Sequence, residues 1–429
     1  ENAKEELRKF IRFINEPEMY RRSGLQVSKG ILLYGPPGTG KTVLAKALAA
    51  EADCPFIATT GAQFVNGSKD ISKVFQLARK YAPSVVFIDE IDSFALDRSR
   101  TDSVRATILN NLLTEMDGFS TRTSKPVFVI AATNAAQMPS VGGNNIFLDT
   151  ALQRRFTKKV YVDLPNREER LCYLNQCKKK IAAKVYNLNN LLDEELNEFS
   201  RLTAGHSIAE MENVINIALG RAAESNENVT KELLINCFEE SVYGEKLKIS
   251  EHHLLTTALH EAGHAFLGFE NGERFYPEYA TLVARANYLG MVAHNIEDDY
   301  CGYSKDDYRK QIRMKLAGRA AEIVFNGPDE GLTTGAGSDL EGATYCAAAI
   351  LSRYGMEEGY MPVISMDTML KSPLAKTYYT KLNEILETEL KNTIRIIEDN
   401  KDKLERLAEA LIEKSRLETE EMYEVLYGK

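Results

Sequence analysis

Several features are missing from this sequence of 429 residues, and each absence argues against a class of protein. The six cysteines stand singly with no C-x-x-C pair, so we expect neither a disulfide framework nor a thiolate zinc site, and a reducing, intracellular compartment fits best. No stripe of basic residues with interleaved aromatics is present, and the formal charge is −9. Because phosphate binding depends on clustered Lys and Arg, we expect no nucleic-acid partner.

Long apolar runs are also missing. None approaches the roughly 18 residues that a membrane-spanning helix needs, and no signal peptide opens the chain. The sequence begins at Glu1, in what reads as the middle of a helix. We therefore expect a fragment of a longer protein, from which any membrane segment has been removed.

The chain is too long for one ordinary core, and its content of 44% hydrophobic and 27% charged residues is that of a globular protein. We expect three domains, at 1–165, 166–246 and 247–429. In the first, strand-like apolar runs alternate with helical patterns, which predicts a parallel α/β sheet covered on both faces. The predicted strands are Gly30–Leu33, Phe56–Ala58, Val85–Ile88, Val127–Ala131 and Val160–Val162.

The other two domains are expected to be mostly helical. After a break at Pro165, about four helices are predicted, with a capping-box pattern at Ser207–Glu210. In the third domain we expect a helix at 254–270 and strand-like pieces at 275–299. Apolar residues then recur at three- and four-residue steps over 376–426, which predicts two long amphipathic helices.

A glycine-rich segment follows the first predicted strand and opens a helix, which is the context of a phosphate-binding P-loop. Glycines let backbone N–H groups close round phosphates, and the helix N-terminus favours negative charge. We expect Lys41 to reach the β- and γ-phosphates and the Thr42 hydroxyl to bind Mg²⁺, so the segment predicts an ATP site. Its residues are Gly35, Pro36, Pro37, Gly38, Thr39, Gly40, Lys41 and Thr42.

Polar residues follow two of the predicted strands. Asp89 and Glu90 end the third strand, at the edge where open α/β sheets bind ligands. Asp89 is expected to hold the Mg²⁺ shell and Glu90 to polarise the attacking water. Asn134 follows the next strand, where it could orient this water or sense the γ-phosphate. The alternative is that asparagine stands here only because it favours a turn.

Two arginines, Arg154 and Arg155, precede the last predicted strand. Arginine suits a transferred phosphate because its planar fork stays charged and binds bidentately, and an arginine finger can act within its own subunit or on a neighbour. We expect one of the two to take this role. Which one stays open, and a surface salt bridge is the alternative.

The segment His-Glu-Ala-Gly-His at 260–264 falls in a predicted helix. Because His260 and His264 are four residues apart, their imidazoles face the same side and can share a metal. Glu261 can act as the general base towards water on that metal, which predicts a zinc hydrolase centre. Such a centre needs a third protein ligand, and spacing alone leaves four candidates: Glu322, Asp339, Asp298 and Asp299.

These motifs carry a resemblance to a known family. Residues 24–165 resemble an AAA+ ATPase module, and 166–242 resemble its helical lid. Residues 255–345 resemble the peptidase domain of the FtsH family, the membrane-anchored AAA+ zinc proteases. The matching stretches are His260-Glu-Ala-Gly-His-Ala265, Leu316-Ala-Gly-Arg-Ala-Ala-Glu322 and Thr333-Thr-Gly-Ala-Gly-Ser-Asp339-Leu.

The resemblance implies Zn²⁺ bound by His260, His264 and Asp339, and ATP with Mg²⁺ as the second cofactor. It implies a ring, usually a homo-hexamer, that unfolds membrane and soluble protein substrates and passes them to enclosed zinc sites for protein quality control. It also implies membrane anchorage through a segment absent from this chain, with this portion on the cytoplasmic side or its matrix or stromal equivalent.

Some segments depart from the family. Its members grip substrate with an aromatic–hydrophobic pair on a loop facing the ring axis, and here that region is shorter. Phe64 and Val65 are the candidates for the grip, and a packed phenylalanine is the alternative. The stretch Met138–Asn145 looks like an insertion.

Together these features predict an ATP-dependent zinc metalloendopeptidase. One alternative is an AAA+ unfoldase or remodeller whose peptidase domain is inactive. Another is a zinc peptidase with a regulatory nucleotide site that does not turn over.

Overall fold

The computed structural model describes most of the chain, in two compact units. One unit comprises Glu1–Pro165 and Gly205–Asn213, and the other comprises Asn166–Ala204 and Val214–Lys429. No described helix combines the length and apolar character that a membrane span requires. The insertion-like Met138–Asn145 lies outside the described residues. The described residues are 8, 11–12, 30–95, 103–117, 126–134, 148–156, 158–182, 184, 187–247, 251–286, 288–294, 302–329, 332–358, 373 and 375–428.

A five-stranded parallel sheet forms the centre of the first unit, with the strand order β2-β3-β4-β1-β5. Every residue of β1 and β4 is buried, as expected for a parallel sheet that is covered on both faces. All five strands predicted from the sequence form, and the α/β fold class is confirmed. The strands are β1 (Gly30–Tyr34), β2 (Phe56–Thr60), β3 (Ser84–Asp89), β4 (Val127–Thr133) and β5 (Lys158–Tyr161).

Helices cover the two faces of this sheet and create two separate apolar cores. Leu32 and Val86 belong to one core, whereas their neighbours Ile31 and Val85 belong to the other, because successive strand residues point to opposite faces. The described helices of this unit are α1 (Lys41–Glu51), α2 (Gly61–Val65), α3 (Ile71–Lys80), α4 (Asp92–Ala95), α5 (Ser103–Asp117) and α6 (Thr150–Arg155).

Four helices follow, as the sequence predicts, and their ends are capped. Asn166 and Glu169 form a capping box at the start of the first, and Thr230 caps the last. The predicted box at Ser207 also forms, since Ser207 N donates to Glu210 Oε2 and Glu210 N donates to Ser207 Oγ. The helices are α7 (Arg167–Ile181), α8 (Asp193–Leu202), α9 (Ile208–Ser225) and α10 (Lys231–Tyr243).

The rest of the second unit packs helices around a small antiparallel sheet with the order β7-β6-β8. The three strands are β6 (Pro277–Thr281), β7 (Met291–His294) and β8 (Arg416–Glu418). The described α-helices are α11 (Glu251–Glu270), α12 (Lys305–Asn326), α13 (Gly337–Ala348), α14 (Ala375–Glu398), α15 (Lys401–Lys414) and α16 (Thr419–Tyr427). This part of the chain also contains 3₁₀ turns at Glu273–Phe275 and Thr334–Ala336 and a π-helical turn at Ala349–Arg353.

The C-terminal region corrects one prediction, because two long helices were expected and the last of them is interrupted. Ser415 adopts a left-handed conformation (φ 60°) and ends α15. Leu417 is then buried in the apolar core as part of β8, and a third helix follows. Apolar spacing alone does not distinguish this arrangement from a continuous helix, since one buried strand residue fits either pattern.

Candidate functional sites

The P-loop lies between β1 and α1, and its side chains are held by the loop backbone. Lys41 is buried, and its Nζ donates to the carbonyls of Gly35 (2.9 Å) and Pro36 (2.6 Å). Burial lowers the pKa of Lys41, while Asp89 and Asp92 act in the opposite direction. The ammonium group is therefore held among carbonyl oxygens that a phosphate would replace.

A hydroxyl and a carboxylate meet beside this loop. Thr42 Oγ1 donates to Asp89 Oδ2 at 2.6 Å, so the two residues expected to bind Mg²⁺ are in direct contact. Nearby, Ala209 N donates to the carbonyl of Gly38 at 3.3 Å, which brings the start of α9 onto the P-loop. The two parts of the predicted magnesium site thus lie together although 47 positions separate them in sequence.

Two more predicted residues lie at the same edge of the sheet. Glu90 follows β3 and Asn134 follows β4, and both side chains are exposed. Because β3 and β4 are parallel neighbours, in register at Ile88 and Ala131, their carboxyl ends lie side by side. Glu90 has a positive φ of 49°, a conformation that is uncommon outside glycine and concentrates at functional sites.

The two arginines have different environments. Arg155 donates through Nε and Nη2 to the two carboxylate oxygens of Asp117, at 2.9 and 2.6 Å, and through Nη1 to the carbonyl of Ala151. Arg154 is exposed, and within the described part of the chain no hydrogen bond or ion pair is recorded for it. Arg155 is thus bound within its own domain, whereas Arg154 is available to another molecule.

Phe64 does not occupy the exposed position expected of a substrate grip. Only 4% of the residue is exposed, and its ring packs edge-on against Phe94 at 6.0 Å in the core beneath α2. Val65 is half-buried and packs against the same core. Of the two alternatives that the sequence left open, the structure favours a packed phenylalanine, because tertiary packing of the helix turns Phe64 inward.

The metal-binding motif lies on α11, where His260, Glu261 and His264 are all buried. The Nε2 atoms of the two histidines are 3.2 Å apart. Asp339, in the first turn of α13, places Oδ2 3.5 Å from His260 Nε2 and 3.2 Å from His264 Nε2. Of the four sequence candidates for a third ligand, the structure brings Asp339 to this point.

This donor set fits a zinc ion. The three ligand atoms lie within 4.8 Å of one another. Tetrahedral zinc with bonds of about 2.0–2.2 Å separates its ligand atoms by about 3.3–3.6 Å, close to the distances found here. Two imidazoles and one carboxylate leave the fourth position open for water, which is the pattern of a catalytic rather than a structural site.

Outer contacts fix which nitrogen each histidine offers. The Nδ1–H of His264 donates to the carbonyl of Met314 at 2.7 Å, and the Nδ1–H of His260 donates to Glu322 Oε1 at 3.0 Å. Glu322 is buried and also accepts hydrogen bonds from the backbone N–H and hydroxyl of Thr333. Glu322 is therefore a partner of a ligand and not a ligand itself; Asp298 and Asp299 lie outside the described residues.

The charges of the cluster depend on each other. Burial would lower the pKa of His260, but hydrogen bonds with Asp339 and Glu322 outweigh it and raise that pKa to about 10. Burial would raise the pKa of Asp339, and the hydrogen bonds with His260 and His264 instead hold it well below its ordinary value. The two carboxylates thus favour positive charge at His260, where a bound cation would also lie.

Small residues let α11 and α12 approach closely enough to make these contacts. A Cβ at Gly318 would overlap the imidazole ring of His260, and one at Gly263 would lie 2.8 Å from the carbonyl oxygen of Ala317. The ring of His260 therefore lies directly on the backbone of α12. One turn along the same helix, Glu322 reaches Nδ1 of that ring.

A cavity of about 1030 Å³ opens over the metal cluster. Glu261 lines it, and burial raises the pKa of this carboxyl group while the two histidines oppose the shift. His294 lines it too; its Nδ1–H donates to the carbonyl of Phe275 at 3.1 Å, and burial lowers its pKa to about 4. The cavity wall is mixed: apolar residues line it together with polar and charged ones such as Arg274, Gln311 and Lys315. The apolar residues include Leu247, Leu289, Met291, Val292 and Met314.

Several residues of this site were not found from the sequence. Thr333 holds Glu322, the partner of a ligand, and the carbonyl of Met314 holds the ligand His264. Gly318 makes room for the ligand His260, and His294 lines the same cavity. Their separations in sequence follow no fixed spacing. A single histidine or glycine can be recognised as a site residue only when the fold brings it close to the metal ligands.

Two family models match the chain. The model described as ATPase family associated with various cellular activities (AAA) matches residues 31–164. The model described as Peptidase family M41 matches residues 247–425. The first range contains the P-loop and Asp89, and the second contains all three candidate metal ligands.

Curated relatives match along nearly the whole chain. An ATP-dependent zinc metalloprotease YME1 homolog from Schizosaccharomyces pombe is 33% identical over 450 residues, which cover 100% of this chain and 60% of that protein. ATP-dependent zinc metalloprotease FtsH from Thermobaculum terrenum is 34% identical, with 99% and 67% covered. FtsH 4 from Synechocystis sp. is 34% identical, with 99% and 70% covered. The chain therefore spans about two thirds of the length of these proteins, and it belongs to the FtsH family of ATP-dependent zinc metalloproteases.

Proposed function

We propose that this chain is an ATP-dependent zinc metalloendopeptidase that unfolds proteins, moves them through a ring and hydrolyses their peptide bonds. One observation carries the proposal: His260, His264 and Asp339 meet in the geometry of a three-ligand zinc site, with Glu261 beside them in the same cavity. A P-loop in the same chain supplies the ATP-dependent half.

The peptidase roles follow from the geometry. His260, His264 and Asp339 would hold zinc, which supplies a Lewis acid that activates water and polarises the scissile carbonyl. Glu261 takes the proton of the attacking water and then delivers it to the leaving amine. The apolar residues of the cavity wall accept the flanking side chains of an unfolded chain.

The ATPase roles follow in the same way. Residues Gly35 to Thr42 and Asp89 hold the phosphates and Mg²⁺, Glu90 orients the attacking water, and Asn134 contacts that water or the γ-phosphate. Arg154 is the arginine finger for a neighbouring subunit, because it is exposed and Arg155 is already bound to Asp117. This assignment requires a ring, for which we propose a homo-hexamer.

The domain division and setting complete the proposal. An AAA+ ATPase domain occupies 1–165, a helical lid 166–246 and a zinc peptidase domain 247–429. The substrates are membrane and soluble proteins, and nucleic acid is not a partner. A segment outside this chain anchors the full-length protein to a membrane, with this portion on the cytoplasmic side or its matrix or stromal equivalent.

Degradation of casein tests the proposal. We expect it to require both ATP and zinc, to stop on chelation, and to stop in Glu261→Gln while ATP hydrolysis continues. In Glu90→Gln, degradation of folded proteins should stop while cleavage of small peptides persists. Casein degradation that is unaffected by Glu261→Gln would remove the proposed base.

A further inference from the structure

The peptidase cavity has one wall that the metal-binding helices do not supply. It is formed by residues 285–290, here called the 285–290 loop, of which Asn287 lies outside the described residues. Two backbone hydrogen bonds close it: Arg285 N donates to Tyr288 O at 2.8 Å, and Tyr288 N donates to Arg285 O at 3.2 Å. The loop leads directly into β7, an edge strand of the small sheet.

The far end of this loop touches the catalytic base. A Cβ at Gly290 would lie 2.7 Å from Cγ and 2.8 Å from Oε1 of Glu261, so the backbone of Gly290 lies against the carboxyl group. Any shift of the loop therefore changes the space in which Glu261 sits. It also moves β7, of which Met291, Val292 and His294 line the cavity.

The near end of the loop is fixed by helix α10, which belongs to the same compact unit. The side chain of Arg285 is fully buried, and its Nη2 donates to Glu239 Oε2 of α10 at 2.8 Å. Nη1 of Arg285 also donates to the carbonyl of Gly244, just after α10, at 3.2 Å. Glu239 is itself 3% exposed and accepts a second charged hydrogen bond, at 2.7 Å, from Arg416 of β8.

Two further contacts join the region of this loop to α10 and to the segment that follows α10. The rings of Tyr243, at the end of α10, and Tyr288 pack edge-on with centroids 5.1 Å apart. Leu247 N donates to the carbonyl of Ala284 at 2.8 Å. The loop and the residue before it are thus held to α10 and the segment after it by an ion pair, a ring contact and a backbone hydrogen bond.

We propose that Arg285 and Glu239 are positioning residues of the peptidase centre: their ion pair anchors the 285–290 loop to helix α10 and thereby holds Gly290 against Glu261. The inference rests on the proposed peptidase activity. Its consequence is that helix α10 contributes to peptide-bond cleavage although it supplies none of the three metal ligands. The alternative is that the buried charges stabilise the fold and have no specific effect on the base.

Cleavage of a small fluorogenic peptide by the full chain separates these possibilities. We expect Arg285→Met and Glu239→Gln to lower kcat by about tenfold or more, since misplacement of a catalytic group by about 1 Å can cost about 10²-fold. Bound zinc and ATP hydrolysis should change little in Glu239→Gln, which keeps the size of the side chain. Its unfolding temperature should fall, because two arginines lose a buried charged partner, so kcat is measured well below the temperature at which the variant unfolds. Arg285→Lys, which keeps the charge, should recover part of kcat.

The chain offers a matched control on the same helix. Glu240 forms a bidentate pair with Arg221, at 2.8 Å for each hydrogen bond, and this pair does not line the cavity. Glu240→Gln should therefore leave kcat unchanged. Gly290→Ala should lower kcat directly, and the Gly290→Ala, Arg285→Met double variant should be no worse than the poorer single variant, because both changes disturb one contact.

Three results would overturn the inference. They are a wild-type kcat in folded, zinc-loaded Glu239→Gln, a fall in activity that simply follows loss of zinc or of folded protein, and additive effects in the double variant. If Arg285→Met does not fold, Glu239→Gln and Gly290→Ala still decide the matter. Failure of the wild-type protein to cleave the peptide at all would instead remove the proposed function.

Discussion

The Nδ1–H of His260 donates to Oε1 of Glu322 at 3.0 Å, and this contact leaves Nε2 of the imidazole for the metal. The pair joins α11 to α12 across the centre of the peptidase domain. Thr333 in turn holds the carboxylate through two hydrogen bonds, so the orientation of His260 depends on three segments of the chain.

Glu322→Gln should therefore weaken zinc binding. An amide accepts the imidazole hydrogen bond less strongly than a carboxylate, and loss of such outer partners typically costs about 10–100-fold in metal affinity. Competition with a chromophoric chelator measures the change. Glu357→Gln is the control, because Glu357 is also buried and ion-paired, with Lys305 and Arg309, but does not line the cavity. Equal zinc affinities in the two variants would contradict the role given to Glu322.

Zinc binding should release protons. The pKa of His260 is raised to about 10 in the metal-free protein, so the imidazole carries a proton at pH 7 that the metal must displace. We expect about one proton released per zinc at pH 7, and an affinity that falls as the pH is lowered. Calorimetry in buffers of different ionisation enthalpy measures this number. A titration with no buffer dependence at pH 7 would mean that His260 is already neutral.

The close approach of α11 and α12 predicts the effect of one methyl group. Gly318→Ala places a Cβ on the ring of His260, so we expect zinc binding to be lost while the helices remain folded. Circular dichroism and metal analysis of the purified protein measure the two effects. Gly220→Ala is the matched control: Gly220 is exposed within α9 with open space around it, and the change should stabilise that helix by about 0.5–1 kcal/mol.

The two arginines should respond differently to removal. Arg154→Ala is expected to lower ATP hydrolysis by the assembled ring by about 10³-fold or more without loss of stability, as for other arginine fingers. Arg155→Ala should cost about 1 kcal/mol of folding free energy through its exposed pair with Asp117. Steady-state ATPase assays and urea unfolding distinguish the effects. A wild-type rate of ATP hydrolysis in Arg154→Ala would show that Arg154 is not the arginine finger.

Phe64 should behave as a core residue. Phe64→Ala removes a buried ring and is expected to destabilise the ATPase domain by about 3–5 kcal/mol, measured by urea unfolding. Leu77→Ala on the same side of the domain is the control; Leu77 is 46% exposed, and its loss should change stability by less than about 0.5 kcal/mol. A stable Phe64→Ala variant that fails only in degrading folded proteins would restore the pore-grip hypothesis.

Local spacing explains what could be predicted from the sequence. The P-loop and the 260–264 segment are each contained within one turn or helix, so the relative positions of their side chains follow from helix and loop geometry. The alternation of strands and helices likewise indicated the parallel sheet. Its strand order then placed Glu90 and Asn134 at one edge.

Contacts between distant segments explain which features could not be predicted from the sequence. Asp339 lies 75 positions beyond His264, so spacing left it equivalent to other acids, and before the fold was known only the family resemblance singled it out. Phe64 has the side chain expected of a substrate grip, but it is buried. This burial could not be predicted, because the sequence does not indicate which face of a five-residue helix meets the core. The interruption at Ser415 depends on β8 pairing with β6, a contact that has no local signal.

The pairing of β8 with β6 also bears on when the protease can become active during its own synthesis. The hydroxyl of Thr281 donates to the carbonyl of Ser415, 134 positions later, and Leu282 N donates to the same oxygen. The histidines of the metal site leave the ribosome long before that oxygen does. A nascent chain therefore carries its zinc ligands while the sheet beside them still lacks a strand, so the small sheet cannot be complete until translation has passed β8.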